Sequence, residues 1–153
     1  MDRDGKVVIP AGFRVVGQFS EGLAYAESAG AGGYIDKTGE FVIPAQFAIG
    51  GEFRKGLAAI NMPGFGYFID RTGKIPAQFV PAKFKVDAVG TFSEGLAAIQ
   101  QDGRWGYVDL FGRIVITPQW HEVEEFRDGI ARVKGPDGYI NTRGKYIWKA
   151  KGP

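Results

Sequence analysis

Three aspartates, Asp36, Asp70 and Asp109, recur at matching places along the chain and are its most regular ionisable groups. A ladder of carboxylates is raw material for a calcium site or for acid–base catalysis. Each one, however, stands three residues before a glycine, and catalysis has no use for the same group in every segment. An aspartate so placed accepts hydrogen bonds from the backbone of the turn that follows it. Asp2-Arg3-Asp4-Gly5 opens like a calcium loop, but the twelfth position is Phe13 where such a loop needs a bidentate glutamate. His121 is the only histidine and lies among Trp120, Glu122, Glu124 and Glu125. No serine or aspartate partner stands at a readable spacing, and a three-histidine zinc site is impossible, so His121 reads as a surface residue. The absence of cysteine removes thiolate metal sites, thiol nucleophiles and disulfides. The glycines from Gly30 to Gly33 and the pair Gly50-Gly51 carry neither a dinucleotide nor a phosphate-loop signature and read as loops. No catalytic residue, metal or cofactor is expected.

What remains is aromatic: three Trp, six Tyr and twelve Phe. These rings could stack on bases or sugars, yet most recur at fixed positions, which marks them as core. The ones that break the pattern are Tyr25, Phe65, Trp105, Phe111, Trp120, Tyr146 and Trp148. From this set, with His121 beside it, the candidate binding residues are Tyr25, Trp105, Phe111, Trp120, His121 and Trp148.

The pattern they break is an internal repeat. Glycines at 5, 22, 39, 56, 73, 95, 112, 129 and 144 are mostly 17 residues apart, and two contexts alternate at them, so the unit is about 34 residues. One context is Asp-x-x-Gly, preceded by an aromatic-aliphatic pair: Tyr34-Ile35, Phe68-Ile69, Tyr107-Val108 and, before Asn141, Tyr139-Ile140. The other is Phe-x-x-Gly followed by Leu or Ile and then Ala, at Phe19 to Ala24, Phe53 to Ala58, Phe92 to Ala97 and Phe126 to Ala131. A single longer step comes from a local insertion, where Pro76-Ala77-Gln78-Phe79 is followed by the near copy Pro81-Ala82-Lys83-Phe84.

Each unit reads as strands joined by tight turns. The aromatic strand ends at Asp-x-x-Gly, whose glycine supplies the positive φ that reverses the chain. A β-branched run follows, such as Val7-Val8-Ile9, Phe41-Val42-Ile43 or Ile114-Val115-Ile116, and it stops near Pro10, Pro44 or Pro118. A connection of about ten residues then carries aromatic anchors and has room for a further irregular strand. The Leu-Ala strand comes next, with alanine on one face for close packing. Its other face varies as Tyr25, Ala59, Ala98 and Arg132, which suggests a partly exposed rim. Residues 120–126, with Trp120, Val123 and Phe126, come nearest to helical spacing.

A unit of this size cannot bury its own apolar face, so the units must stack or close on one another. The chain is expected to be all-β: about four antiparallel meander units, approximately 1–32, 33–65, 66–104 and 105–137, with a C-terminal hairpin at 138–149. An open solenoid-like stack is preferred over a closed, propeller-like ring. These residues resemble the WG-repeat family (tryptophan-glycine, also KWG), the closest match being Arg104-Trp105-Gly106-Tyr107-Val108-Asp109 with Ile116-Thr117-Pro118-Gln119-Trp120 and Phe126 to Ala131. The other units carry Gly32-Gly33, Gly66-Tyr67 and Asp137-Gly138 in place of Trp-Gly. The resemblance implies a bacterial β-repeat module that is not an enzyme and serves in interaction.

Composition agrees with a folded domain, at 44% hydrophobic and 24% charged residues. Net charge is +2, but residues 127–153 hold seven Lys and Arg against two acids, so nucleic-acid contact through this basic segment is an alternative. Carbohydrate or cell-wall binding through exposed aromatics is another. The leading expectation is a non-enzymatic protein–protein interaction or scaffold module with a protein partner, self-association included. No apolar run is long enough to span a bilayer, and Met1-Asp2-Arg3-Asp4 does not open a signal peptide. The compartment stays open: cytoplasmic if Met1 is a natural start, envelope or secreted if the chain is a piece of something longer.

Overall fold

The structure is a computed structural model and describes residues 12–79 and 85–152. Expectations that fall on Asp2 to Pro10 and on Pro81 to Phe84 lie outside the described residues. Fifteen strands form four separate antiparallel sheets among them, with no α-helix. The first sheet is β1 (Val15–Val16), β2 (Ala24–Ser28), β3 (Ala31–Ile35) and β4 (Phe41–Phe47). The second holds β5 (Ile49–Gly50), β6 (Leu57–Met62) and β7 (Phe65–Asp70). The third holds β8 (Ala88–Val89), β9 (Leu96–Gln101), β10 (Arg104–Asp109) and β11 (Ile114–Trp120). The fourth holds β12 (Glu122–Val123), β13 (Ile130–Lys134), β14 (Gly138–Asn141) and β15 (Tyr146–Lys149). Each sheet is an up-and-down meander in chain order.

The irregular strand expected in the connection is present as the two-residue β1, β5, β8 and β12. It starts each sheet, so the sheets run from one connection to the next and straddle the units counted from aromatic strand to aromatic strand. The nearly helical stretch at 120–126 is not a helix: Trp120 ends β11, Glu122 and Val123 form β12, and Phe126 enters the next turn. The hydrogen bonds explain this, because His121 and Glu124 both donate to the backbone of β13.

Both glycine motifs are turns with different jobs. At Ser20-Glu21-Gly22-Leu23 the end residues bond reciprocally and both central residues have positive φ, 53° at Glu21 and 82° at Gly22. This is a type I′ hairpin, whose twist matches that of the flanking strands. Lys55, Glu94 and Asp128 take the same conformation. At Asp-x-x-Gly the carboxylate accepts from two downstream amides: Thr38 and Glu40 for Asp36, Thr72 and Lys74 for Asp70, Phe111 and Arg113 for Asp109. Asn141 caps its turn through the same two amides, of Arg143 and Lys145. These aspartates are turn caps, as their spacing implies.

Among the described residues the second sheet has three strands and no fourth. Only Ile75 precedes Pro76, whereas Phe41-Val42-Ile43 precedes Pro44, so there is too little β-branched chain to pair. A short 3-10 turn, Ala77–Phe79, takes its place and buries Phe79 against Phe68 and Phe92, with ring centroids 4.8 and 6.3 Å away.

The core lies between the sheets. The Leu-and-Tyr face of one sheet packs on the alanine face of the next: Leu23, Tyr34 and Ile43 meet Ala58, Ile60 and Ile69. Leu57, Ala59 and Phe68 meet Ala97, Ile99 and Val108. Tyr107, Ile116 and Trp120 meet Ala131, Val133 and Ile140. One ring contact recurs at every junction: Tyr34–Phe53 at 4.8 Å, Phe68–Phe92 at 4.8 Å and Tyr107–Phe126 at 4.7 Å. The alanine face of the first sheet is covered by Phe13 and Phe19. The partly exposed rim is present at Tyr25, Ala98 and Arg132, and Ala59 is buried. Tyr25, Ala59 and Ala98 pack against the core shared with the following sheet, and Arg132 is the exposed one of the four. No strand of the fourth sheet pairs with the first among the described residues, so the stack is open there.

Candidate functional site

Polar clamps cross each junction beside the apolar contact. Ser20 Oγ donates to the Phe53 carbonyl at 2.6 Å, and Glu21 accepts from the Gly56 amide at 3.1 Å. Ser93 and Glu94 repeat both bonds on Phe126 and Gly129, at 2.7 and 3.1 Å. Tyr34 OH donates to the Gly51 carbonyl at 2.7 Å and Tyr107 OH to that of Glu124 at 2.6 Å. Burial pushes the pKa of both phenols up, with nearby Tyr25 and Tyr67 adding to it for Tyr34 and Glu124 for Tyr107. The second sheet has Phe68, Arg54 and Lys55 at these positions and is joined differently: Asn61 exchanges two hydrogen bonds with the Val89 backbone, at 2.8 and 2.9 Å.

Two surfaces are left over. One is an open cleft of about 360 Å³ where the type I′ turns of the first three sheets converge, lined by Glu21, Arg54, Lys55 and Glu94. Its carboxylates at 21 and 94 hold turn amides and Arg54 pairs with Glu52 at 2.9 Å, so most of its charge is already engaged. The other is the Leu-and-Tyr face of the fourth sheet, where Ile130, Tyr139 and Trp148 are 41, 43 and 56% exposed. Tyr139 and Trp148 are cross-strand partners with ring centroids 6.1 Å apart.

The candidates from sequence do not form one site. Trp120 is corrected: it is buried in the third junction, and its indole donates to Tyr146 OH at 2.8 Å. It breaks the repeat only in size, because Phe47 fills the equivalent core position in the first junction. Trp105 is half-buried and pairs in register with Trp120. His121 is exposed, with Arg104 Nη1 at 2.9 Å from its Nε2. Phe111 is 71% exposed at a turn tip under the Arg113 guanidinium. Tyr25 is half-buried and donates to the Ala48 carbonyl at 3.0 Å. Trp148 alone of the six lies on the exposed face, and its neighbours there, Ile130 and Tyr139, obey the repeat and so carry no sequence signal of exposure.

The model of the WG-containing-repeat family matches residues 1–29, 33–62, 82–105 and 105–134. The chain belongs to the WG-repeat family. The stretch that the match skips between 62 and 82 includes the 3-10 turn Ala77–Phe79. Among solved structures, the computationally designed Ika4 protein is similar in fold, with a TM-score of 0.56 at 14% identity over 89% of this chain and 97% of that one. No curated protein matches.

The Trp-Gly pair that names the WG repeat occurs once, and close packing against the fourth strand explains why its glycine recurs. A Cβ at Gly33 or Gly106 would collide with the carbonyl of Ile43 or Ile116 on the fourth strand, and one at Gly138 would come within 2.5 Å of the Trp148 carbonyl. The glycine admits the bulged fourth strand, whose register shifts at this point. The second WG unit has no fourth strand among the described residues and carries Tyr67 there. At Gly32, which replaces the tryptophan, the ring of Tyr25 fills the space a side chain would take.

Proposed function

We propose that this WG-repeat chain is a non-enzymatic protein-interaction or scaffold module. One observation carries the reading: Ile130, Tyr139 and Trp148 lie exposed at positions that are core in the preceding sheets. Adjacent exposed aromatics on a rigid sheet, with arginine beside them, are the composition of an interface centre. The alternatives have less support. The rings of Tyr139 and Trp148 meet at 54°, which is not the flat platform a sugar stacks on. The basic C-terminal segment shares its sheet with Glu122, which already holds Lys134 at 2.6 Å, and Glu124 lies against Arg132 through its amide.

Affinity capture from cells that express the chain tests this, with the intact protein set against Trp148→Glu. Retention by the intact protein of a partner that the variant loses, at unchanged circular dichroism, is the expected result. Identical captures with both would remove the reading.

A further inference from the structure

Each of the three junctions joins a donor half, the Leu-and-Tyr face with its clamps, to an acceptor half, the alanine face with its Phe anchor. The fourth sheet carries a donor half that no other sheet of the described residues covers. Tyr139 stands where Tyr34 and Tyr107 stand, and those hydroxyls both bond a backbone carbonyl next to the first strand of the following sheet. The Tyr139 hydroxyl has no partner among the described residues. Asp128 sits in the conformation of Glu21 and Glu94, with φ of 51° against 53° for both, where a carboxylate grips the next turn's glycine amide. Ile130 replaces Leu23, Leu57 and Leu96, and Trp148 replaces Ile43 and Ile116.

We infer that the outward face of the fourth sheet docks the alanine face of another WG-type sheet, presented by a partner polypeptide. The inference rests on the interaction reading and names the partner's chemistry. The interface is the one the chain uses three times internally, so the occupant must offer what the internal occupants offer: an Ala-x-Ile or Ala-x-Val strand, a phenylalanine anchor for Tyr139, and a free turn amide for Asp128. One element is new. Arg132 replaces Tyr25, Ala59 and Ala98 and shares a surface pocket with Glu122 and Glu124, and closing a sheet over it would strip its water, so the partner also brings a polar group that accepts from the guanidinium.

A second copy fits less well on two counts. Its own uncovered alanine face is lacking, because Ala24, Ala26 and Ile35 are buried against Phe13 and Phe19. Two fourth sheets face to face would bring two copies of Arg132 against each other, each with only its own Glu122 and Glu124 beside it.

The test joins donor and acceptor in one chain, where a high effective concentration makes failure a matter of chemistry and not of weak affinity. Pro153 stands where His121 stands one unit earlier, so a repeated segment 122–152 placed directly after the full chain continues the register. In this extended chain Arg132→Ala, in the first copy, restores the residue of the second and third sheets. Hydrogen exchange of the added segment and of β15 is then expected to slow by roughly tenfold or more, and to return to the rate of an open chain when Trp148→Glu is added. An added segment that exchanges freely even with Arg132→Ala overturns the inference. If capture by the natural chain still depends on Trp148, the interaction reading survives that result and only the partner's chemistry is wrong. Sedimentation of the unextended protein is expected to give a monomer. A dimer abolished by Trp148→Glu would assign the face to a second copy instead.

Discussion

Tyr107 and Tyr139 hold the same register position in neighbouring sheets, yet one is buried and hydrogen-bonded while the other is 43% exposed. Nothing in their own strands accounts for this. Both follow a glycine, precede an aliphatic residue and face the same way. The difference is the next sheet, which covers Tyr107 with Phe126, Ala131, Val133 and Ile140 and leaves Tyr139 bare. In a one-dimensional array the interface holds most of the stability, and a residue's energetic role depends on whether a neighbour is stacked on it.

Truncation at the two positions should therefore give the widest separation. Tyr107→Ala removes a buried ring from the third junction and is expected to cost about 3–5 kcal/mol, whereas Tyr139→Ala should cost less than about 1 kcal/mol. Urea unfolding of the two variants measures both. Equal costs would mean that the fourth sheet is held by something other than the junction.

The glycine of the WG pair divides the sheets in a second way. Gly106→Ala drives a methyl into the Ile116 carbonyl on β11, a strand trapped in the junction, and should cost roughly 1–3 kcal/mol by overpacking. Gly138→Ala meets the equivalent carbonyl of Trp148, but β15 is an exposed edge that can move away. Its cost should fall below that of Gly106→Ala in the same unfolding experiment.

Deleting single hydroxyls sharpens the comparison further. Tyr107→Phe breaks the bond to the Glu124 carbonyl and should cost about 1 kcal/mol, while Tyr139→Phe should be indistinguishable from the parent in thermal unfolding. In the second sheet Phe68 already lacks the hydroxyl, and Asn61 supplies the cross-junction bonds.

The repeat itself was legible because turn chemistry writes itself locally. A carboxylate three residues before a glycine caps a hairpin whatever surrounds it, and the rhythm of Asp-x-x-Gly and Phe-x-x-Gly-Leu-Ala gave the strands, their order and the stacking. The candidate site was less legible, because exposure depends on the neighbouring sheet. Trp120 breaks the pattern and so reads as a binding candidate, although it is a larger filler at the position of Phe47. Tyr139 kept the pattern and passed for core, although no sheet covers it here. The clamp residues carried a weak signal: Ser-Glu at 20–21 and 93–94 alternates with Arg-Lys at 54–55 and Arg-Asp at 127–128. That alternation marks which junctions are clipped in the same way.

The smallest effect concerns the turn caps. Asp36, Asp70 and Asp109 all have carboxyl pKa values held below the ordinary 3.8. For Asp36 the Thr38 hydroxyl is the main cause. For Asp70 and Asp109 partial burial pushes upward and is outweighed by hydrogen bonds, from Thr72 and Lys74 to the first and from Arg113 and Phe111 to the second. A carboxyl whose folded value is depressed stabilises the fold above its unfolded pKa, and that contribution fades as pH falls through the folded value. Acid should thus loosen the Asp-x-x-Gly hairpins of the first three sheets below about pH 3.8. Asn141 makes the same two amide bonds without a titrating group, so the hairpin of the fourth sheet should not respond. Amide NMR shifts read this directly: Thr38, Thr72 and Phe111 should move with pH in that window while Arg143 stays flat. Replacing Asn141 by Asp should make Arg143 titrate with the others. A flat Thr72 in the parent would mean that the carboxylate bond contributes nothing to its turn.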